Sequence, residues 1–112
     1  MFNEDKVRLH HMLDAAQKAL AFVANHSRQD LNSNEQLSLA LVRLLEVIGE
    51  AAKAVSVETC KQHPEIPWTV MAGMRNRLIH GYFDVDLDIV WQTVKNDLPP
   101  LVKTLEKIIE TV

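Results

Sequence analysis

The stretch that decides the fold is residues 33–57, SNEQLSLALVRLLEVIGEAAKAVSV. Leu, Val, Ile and Ala cover most of the surface of a helix built from it, which is typical of a helix at the centre of a bundle. Asn32 or Ser33 is expected to cap its start. Placed at about 100° per residue, its polar side chains fall in one narrow stripe, formed by Gln36, Arg43, Glu46, Glu50 and Lys53.

This charged stripe has two interpretations. In the first, the more common case, it is a solvated face whose charges pair at spacings of three and four residues. In the second, Glu46 or Glu50 points inward to meet a buried cation. Gly49 lies between them in sequence and has no side chain, so it would let another helix approach closely.

Helical patterns continue on both sides of the central helix. Apolar residues recur at helical spacing from about residue 4 to the high twenties, with Asn3 as the expected cap. A short helical turn is expected over 56–63, followed by a break at Pro64. The next helix is predicted over about 67–80, with Pro67 in its first position.

The C-terminal third predicts two more helical segments. Asp86 is expected to cap a fourth helix, Pro99 and Pro100 to interrupt it, and residues 101–111 to form the last segment. With few glycines and no repeats, the 112 residues predict one domain, 1–112, folded as an all-α antiparallel bundle of four to five helices.

Composition limits the classes of function. The net charge of −3 argues against coating DNA or binding a membrane surface, so any RNA contact must be local. The single cysteine, Cys60, cannot form an intramolecular disulfide, which is typical of a reducing compartment. The first residues lack a signal-peptide pattern, and no apolar run reaches the roughly 18 residues of a spanning helix. We therefore expect a cytoplasmic protein.

One polar stretch stands out against the apolar helices: residues 74–82, MRNRLIHGY. On a helical plot Arg75 falls in the middle of the apolar face, where an unsatisfied guanidinium would be costly, whereas Arg77 falls on the opposite side. Asn76 and His80 lie together along one edge. Other catalytic signatures, including phosphate-binding glycine loops and zinc-ligand spacings, are missing from the sequence, so no metal or cofactor is expected.

These residue types suit catalysis of phosphodiester cleavage. His80 can act as general acid or base near neutral pH, and Arg75 can neutralise the charged oxygens of a reacting phosphate. Asn76 would orient the phosphate or the imidazole. On one ideal helix Arg75 and His80 are about 140° apart, so either Arg75 reaches round the helix end or two copies of the chain combine. Taken without further information, the residues favour the more common arrangement, a structural salt bridge and a helix-terminal histidine.

The spacing Arg75-x4-His80-x-Tyr82 resembles the RX4HXY motif of the HEPN superfamily, specifically its HepT-like toxins. The flanks are also similar to that family, and the similarity covers nearly the whole chain. They are residues 43–53, Pro67-Trp68 and residues 86–91. The resemblance implies an all-α HEPN bundle that dimerises through the motif helix, and a metal-independent ribonuclease with Arg75, Asn76 and His80 as catalytic residues.

The resemblance also implies a partner. In that family the ribonuclease is the toxin of a type VII-like toxin–antitoxin pair, and the antitoxin is a minimal nucleotidyltransferase that uses ATP to adenylylate the motif tyrosine, here Tyr82. Glu50 as a supporting partner of Arg75 is our own interpretation from burial. Two alternatives remain: a non-catalytic helical module that presents substrate to a nucleotidyltransferase, and a purely structural dimer.

Overall fold

The computed structural model describes residues 1–81 and 84–112, and it is all-α apart from one short hairpin. The helices are α1 (Asn3–Val23), α2 (Asp30–Ser33), α3 (Glu35–Ala54), α4 (Val57–Gln62), α5 (Trp68–Ala72), α6 (Met74–Leu78), α7 (Leu87–Gln92) and α8 (Leu98–Thr111), with a π-helix over Thr93–Asp97. Strands β1 (Ile79–His80) and β2 (Asp84–Val85) pair antiparallel. No helix in the described part of the chain combines the length and apolar character that crossing a membrane requires.

Helix α3 lies at the centre of the bundle, as its sequence predicts. It packs against α1 on one side and against α5 and α6 on another, and it also contacts α2 and α7. Its side chains Leu41, Leu45 and Ile48 are fully buried. A Cβ added to Gly49 would lie 2.7 Å from the carbonyl oxygen of Met71, so the predicted close approach of another helix is confirmed.

Of the three helix caps expected from the sequence, one is confirmed and two differ. Asp86 caps α7 as predicted, its Oδ1 accepting from the Ile89 N–H at 3.1 Å. Helix α3 is capped by Asn34, which accepts from the Leu37 N–H at 3.0 Å, because Asn32 and Ser33 are taken up by the short helix α2. Asn3 is not a cap, since α1 already begins at that residue.

Asp5 ties the start of α1 to the start of α4. It is only 2 % exposed, and its carboxylate accepts hydrogen bonds from the Ser56 N–H at 3.0 Å, the Ser56 hydroxyl at 2.6 Å and the Thr59 hydroxyl at 2.7 Å. Burial alone would raise the pKa of this carboxyl, but these hydrogen bonds, with help from Arg8, outweigh burial and lower it. A charged group is therefore part of the packed interior.

The expected break at Pro99-Pro100 does not occur. The chain stays helical from α7 through the π-helix into α8. In an α-helix the two proline rings would press on the carbonyls of Lys95 and Asn96, four residues earlier. Both of those residues lie in the π-helix, whose wider turns shift these carbonyls. The prolines then occupy the first turn of α8, where their missing N–H groups cost little.

Candidate active site

The helix predicted over 67–80 is broken in two and is shorter than expected. Gly73 separates α5 from α6, and α6 ends at Leu78. Ile79 and His80 are extended and pair with Val85 and Asp84 of β2. Gly81 has φ +73°, a left-handed conformation that suits glycine, so it belongs to the turn after β1 and does not end the helix.

The two arginines of α6 are placed opposite to the prediction. Arg75 is 68 % exposed, whereas Arg77 is 38 % exposed and has its Nη1 shielded from solvent, 3.8 Å from Oδ2 of Asp97. The apolar face assigned on the helical plot consisted of Met71, Ala72, Leu78, Trp68 and Ile79. The plot failed because it gave Trp68 and Ile79 full weight in this face and left out Met74. Met74 is fully buried and those two are only half-buried, so the true face turns away from Arg75.

Arg75 lines a groove between α3 and the α5–α6 break. The groove has a volume of about 210 Å³ and is lined by Glu46, Gly49, Glu50, Lys53, Ala72 and Arg75. The nearest approach of a carboxylate to the guanidinium is made by Glu46, whose Oε2 lies 3.9 Å from the Arg75 Nε and whose side chain is 23 % exposed. This geometry leaves most of the guanidinium open to a ligand.

Glu50 is not the carboxylate that contacts Arg75. It lies in the same groove but pairs with Arg43, whose Nη1 is 3.6 Å from the Glu50 Oε1. The Glu50 side chain is exposed, so the solvated-stripe interpretation holds for it. Glu46 is half-buried, but Arg75, the cation that it approaches, is exposed, so the interpretation of a buried cation is wrong for this pair. The sequence contains a signal that favours Glu46 over Glu50 as the partner of Arg75. Glu46 lies almost one turn before Gly49, where α3 comes close to α5 and α6, so the two residues share a face of α3.

Asn76 and His80 are also exposed. Within residues 1–81 and 84–112 neither side chain has a hydrogen-bond partner. Because β1 is extended, the angle of about 140° that separates Arg75 from His80 on one ideal helix does not apply. All three polar groups thus follow one another at the surface from α6 into β1, where a charged ligand can reach them.

Two further expectations concern Tyr82 and metal binding. Tyr82 lies outside the described residues, so its role as the modified residue stays a prediction. The described residues contain no group of three or more His, Cys, Asp or Glu side chains that could hold a metal ion.

The free thiol of Cys60 is half-buried on α4. Burial, together with the negative charge of Asp5, raises the pKa of this thiol, which suppresses the reactive thiolate.

Comparison with known proteins identifies the family. The model of the family described as "Ribonuclease HepT-like" matches residues 12–108. "Putative RNase MJ1216" of Methanocaldococcus jannaschii is 38% identical over 107 residues, 96% of this chain and 88% of that protein. "Probable ribonuclease HepT" of Thermococcus cleftensis is 45% identical over 80 residues, 71% of this chain and 73% of that protein. No solved structure matches. On the extent of the family match and these identities, the chain belongs to the HepT-like ribonuclease family.

Proposed function

We propose that this protein is an endoribonuclease that cleaves RNA without a metal ion, with Arg75, Asn76 and His80 as its catalytic residues. The observation that carries the proposal is the exposure of these three groups along α6 and β1, with a salt bridge from Arg75 to Glu46 alone among the described residues. The names of the relatives in two archaea, both given as ribonucleases, support the same substrate class.

The proposed reaction uses the ribose 2′-hydroxyl of the substrate as nucleophile. His80 removes the 2′-hydroxyl proton, and the 2′-oxygen forms a bond to phosphorus while the bond to the 5′-oxygen of the next nucleotide breaks. That oxygen leaves with a proton, so the products carry a 2′,3′-cyclic phosphate and a 5′-hydroxyl. Arg75 neutralises the charge that builds on the non-bridging oxygens, and Asn76 donates its amide N–H to one of them.

A homodimer would supply the second proton-transfer group. One imidazole cannot accept the 2′-proton and protonate the leaving oxygen at the same moment. Pairing two copies through the motif segment would place two copies of His80 and two of Arg75 in one cleft. Because the three side chains are exposed in the single chain, such a pairing needs no unfolding of the bundle.

We further propose that this ribonuclease is a toxin controlled through Tyr82. A nucleotidyltransferase antitoxin would transfer AMP from ATP to the tyrosine hydroxyl, releasing pyrophosphate. Tyr82 follows His80 by two residues, so the added phosphate and nucleoside would crowd the site. The phosphate would also bring negative charge next to Arg75 and His80, which opposes binding of an RNA phosphate.

Expression in bacteria tests the toxin function. The wild type should arrest growth, and His80→Ala and Arg75→Gln should not, at equal protein levels. Growth arrest by His80→Ala as strong as by the wild type would overturn the catalytic assignment. Co-expression with a nucleotidyltransferase encoded beside this chain should restore growth and add AMP to Tyr82, detected by mass spectrometry. If that transferase binds tightly but the purified protein never turns over RNA, the non-catalytic module is the correct function.

A further inference from the structure

The groove at Arg75 continues into a second groove on the same side of α3. The second groove, of about 420 Å³, is bounded by α3, α4 and α5, and it shares Lys53 and Ala72 with the groove of Arg75. Lys61 and Trp68 line the second groove and not the groove of Arg75. A polymer bound at Arg75 can therefore extend along the protein surface past Lys53 to the end of α4.

The charges along the path formed by these two connected grooves suit a polyanion. Lys53 and Lys61 are exposed, and neither forms a salt bridge among the described residues. The two carboxylates near Arg75 are each engaged with an arginine, Glu46 with Arg75 and Glu50 with Arg43. The path thus offers two unpaired ammonium groups beyond the guanidinium of Arg75, in a protein whose net charge is −3.

Trp68 adds a flat apolar surface next to these cations. Its indole Nε1–H donates to the carbonyl oxygen of His63 at 2.9 Å, which fixes the ring, and the residue is half-buried, so part of it faces the groove. A positively charged groove that follows the backbone, with an aromatic ring on which a base stacks, is the arrangement by which proteins bind single-stranded nucleic acid.

We infer that Lys53, Lys61 and Trp68 form a subsite for single-stranded RNA next to the cleavage site. The two lysines contact phosphates of the nucleotides beyond the one held by Arg75, and Trp68 stacks against a base. The inference rests on the proposed ribonuclease function for the position of the scissile phosphate. It gives an acidic protein a local site for RNA, because Lys53 and Lys61 add two cations to that of Arg75 along the two connected grooves.

Binding is measured with a fluorescently labelled, fully 2′-O-methylated RNA oligonucleotide, which cannot be cleaved because its 2′-oxygen is blocked. The double variant Lys53→Gln/Lys61→Gln should bind about tenfold more weakly at 0.1 M salt, and its salt dependence should fall by about 0.7 in log–log slope per lysine. Lys103→Gln, on the exposed face of α8 and outside both grooves, is the charge-matched control and should bind like the wild type.

Stacking on Trp68 is measured separately by intrinsic fluorescence. The chain has two tryptophans, so Trp91→Phe leaves Trp68 as the only tryptophan, which is excited selectively at wavelengths that Tyr82 does not absorb. Saturating RNA should quench its emission. Trp68→Phe, which keeps a smaller aromatic ring but loses the indole hydrogen bond to His63, should weaken binding by a few-fold. Unchanged emission at saturation would remove Trp68 from the subsite.

The outcomes separate this inference from the proposed function. If the wild type cleaves unmodified RNA but Lys53→Gln/Lys61→Gln has unchanged affinity and salt slope, the subsite is wrong and the ribonuclease function stands. If the wild type never cleaves but its RNA binding depends on the two lysines, the subsite stands and the cleavage mechanism fails. If the double variant binds RNA normally but dissociates in light scattering, the groove is covered by a second copy of the chain, which also overturns the subsite.

Discussion

Glu46 and Arg75 face each other across the contact between α3 and α6, with the Glu46 Oε2 3.9 Å from the Arg75 Nε. The carboxylate is half-buried and the guanidinium is largely exposed. This contact turns the arginine towards α3 while most of its side chain stays exposed. Because the arginine is open to water, the pair contributes little to stability, and we expect its effect to appear in activity.

Glu46→Gln should therefore change the free energy of unfolding by less than about 1 kcal/mol and lower kcat for RNA cleavage several-fold, because Arg75 loses its orientation. Glu50→Gln is the matched control, since Glu50 lines the same groove but pairs with Arg43. Single-turnover cleavage and urea unfolding check both variants. A loss of kcat in Glu50→Gln with none in Glu46→Gln would restore Glu50 as the partner of Arg75.

The two arginines of α6 should separate activity from stability. Arg75→Gln is expected to lower the cleavage rate by about 10²- to 10³-fold, as removal of a charge-stabilising donor does, with little change in stability. Arg77→Gln removes a half-buried guanidinium that approaches Asp97. It should cost about 1 kcal/mol of stability and leave the cleavage rate nearly unchanged. Thermal unfolding and cleavage rates are measured for both variants. A loss of stability in Arg75→Gln together with a loss of cleavage rate in Arg77→Gln would contradict the assignment.

Gly49 sets the distance between α3 and the α5–α6 break. Ala in place of a mid-helix Gly normally stabilises by about 1 kcal/mol, but here its Cβ would lie 2.7 Å from the Met71 carbonyl oxygen and 3.2 Å from the Met74 Cβ. We expect Gly49→Ala to destabilise by about 1–3 kcal/mol instead. Thermal unfolding measures the sign. A stabilised Gly49→Ala would show that α5 and α6 can move away from α3.

Asp5 makes stability depend on pH in the acid range. Its pKa in the folded protein is below the ordinary value of 3.8, so its contribution is present above that pH and is lost as pH falls through the folded pKa. Asp5→Asn should lower the free energy of unfolding by about 1–3 kcal/mol at neutral pH, and the difference from the wild type should shrink in strong acid. Asp14→Asn, which removes an exposed pair with Lys18, is the control from the same helix.

The sequence predicted those features that depend on neighbouring residues. The cap at Asp86 and the short helix after Ser56 both follow from local chemistry, and both are confirmed. The central position of α3 follows from its apolar surface, because a helix that is apolar on nearly every side has to be surrounded. The all-α class follows from the same periodicity.

Features that depend on distant contacts could not be predicted in this way. The burial of Asp5 depends on Ser56 and Thr59, more than fifty residues along the chain. The exposure of Arg75 depends on the fully buried Met74, which fixes the rotation of α6, and on the break at Gly73. A plot of one ideal helix through Gly73 contains neither the break nor the rotation of α6. The two arginines were therefore placed on the wrong sides.

Cleavage of RNA by the purified protein, compared between the wild type and His80→Ala in the presence of EDTA, tests the central claim most directly. The control is His11→Ala, which changes another exposed histidine on α1. We predict that the wild type and His11→Ala cleave at the same rate and leave a 2′,3′-cyclic phosphate. His80→Ala should be slower by about 10²- to 10⁴-fold, the usual contribution of a general acid–base group. Equal rates for all three proteins, or cleavage abolished by EDTA, would contradict the mechanism.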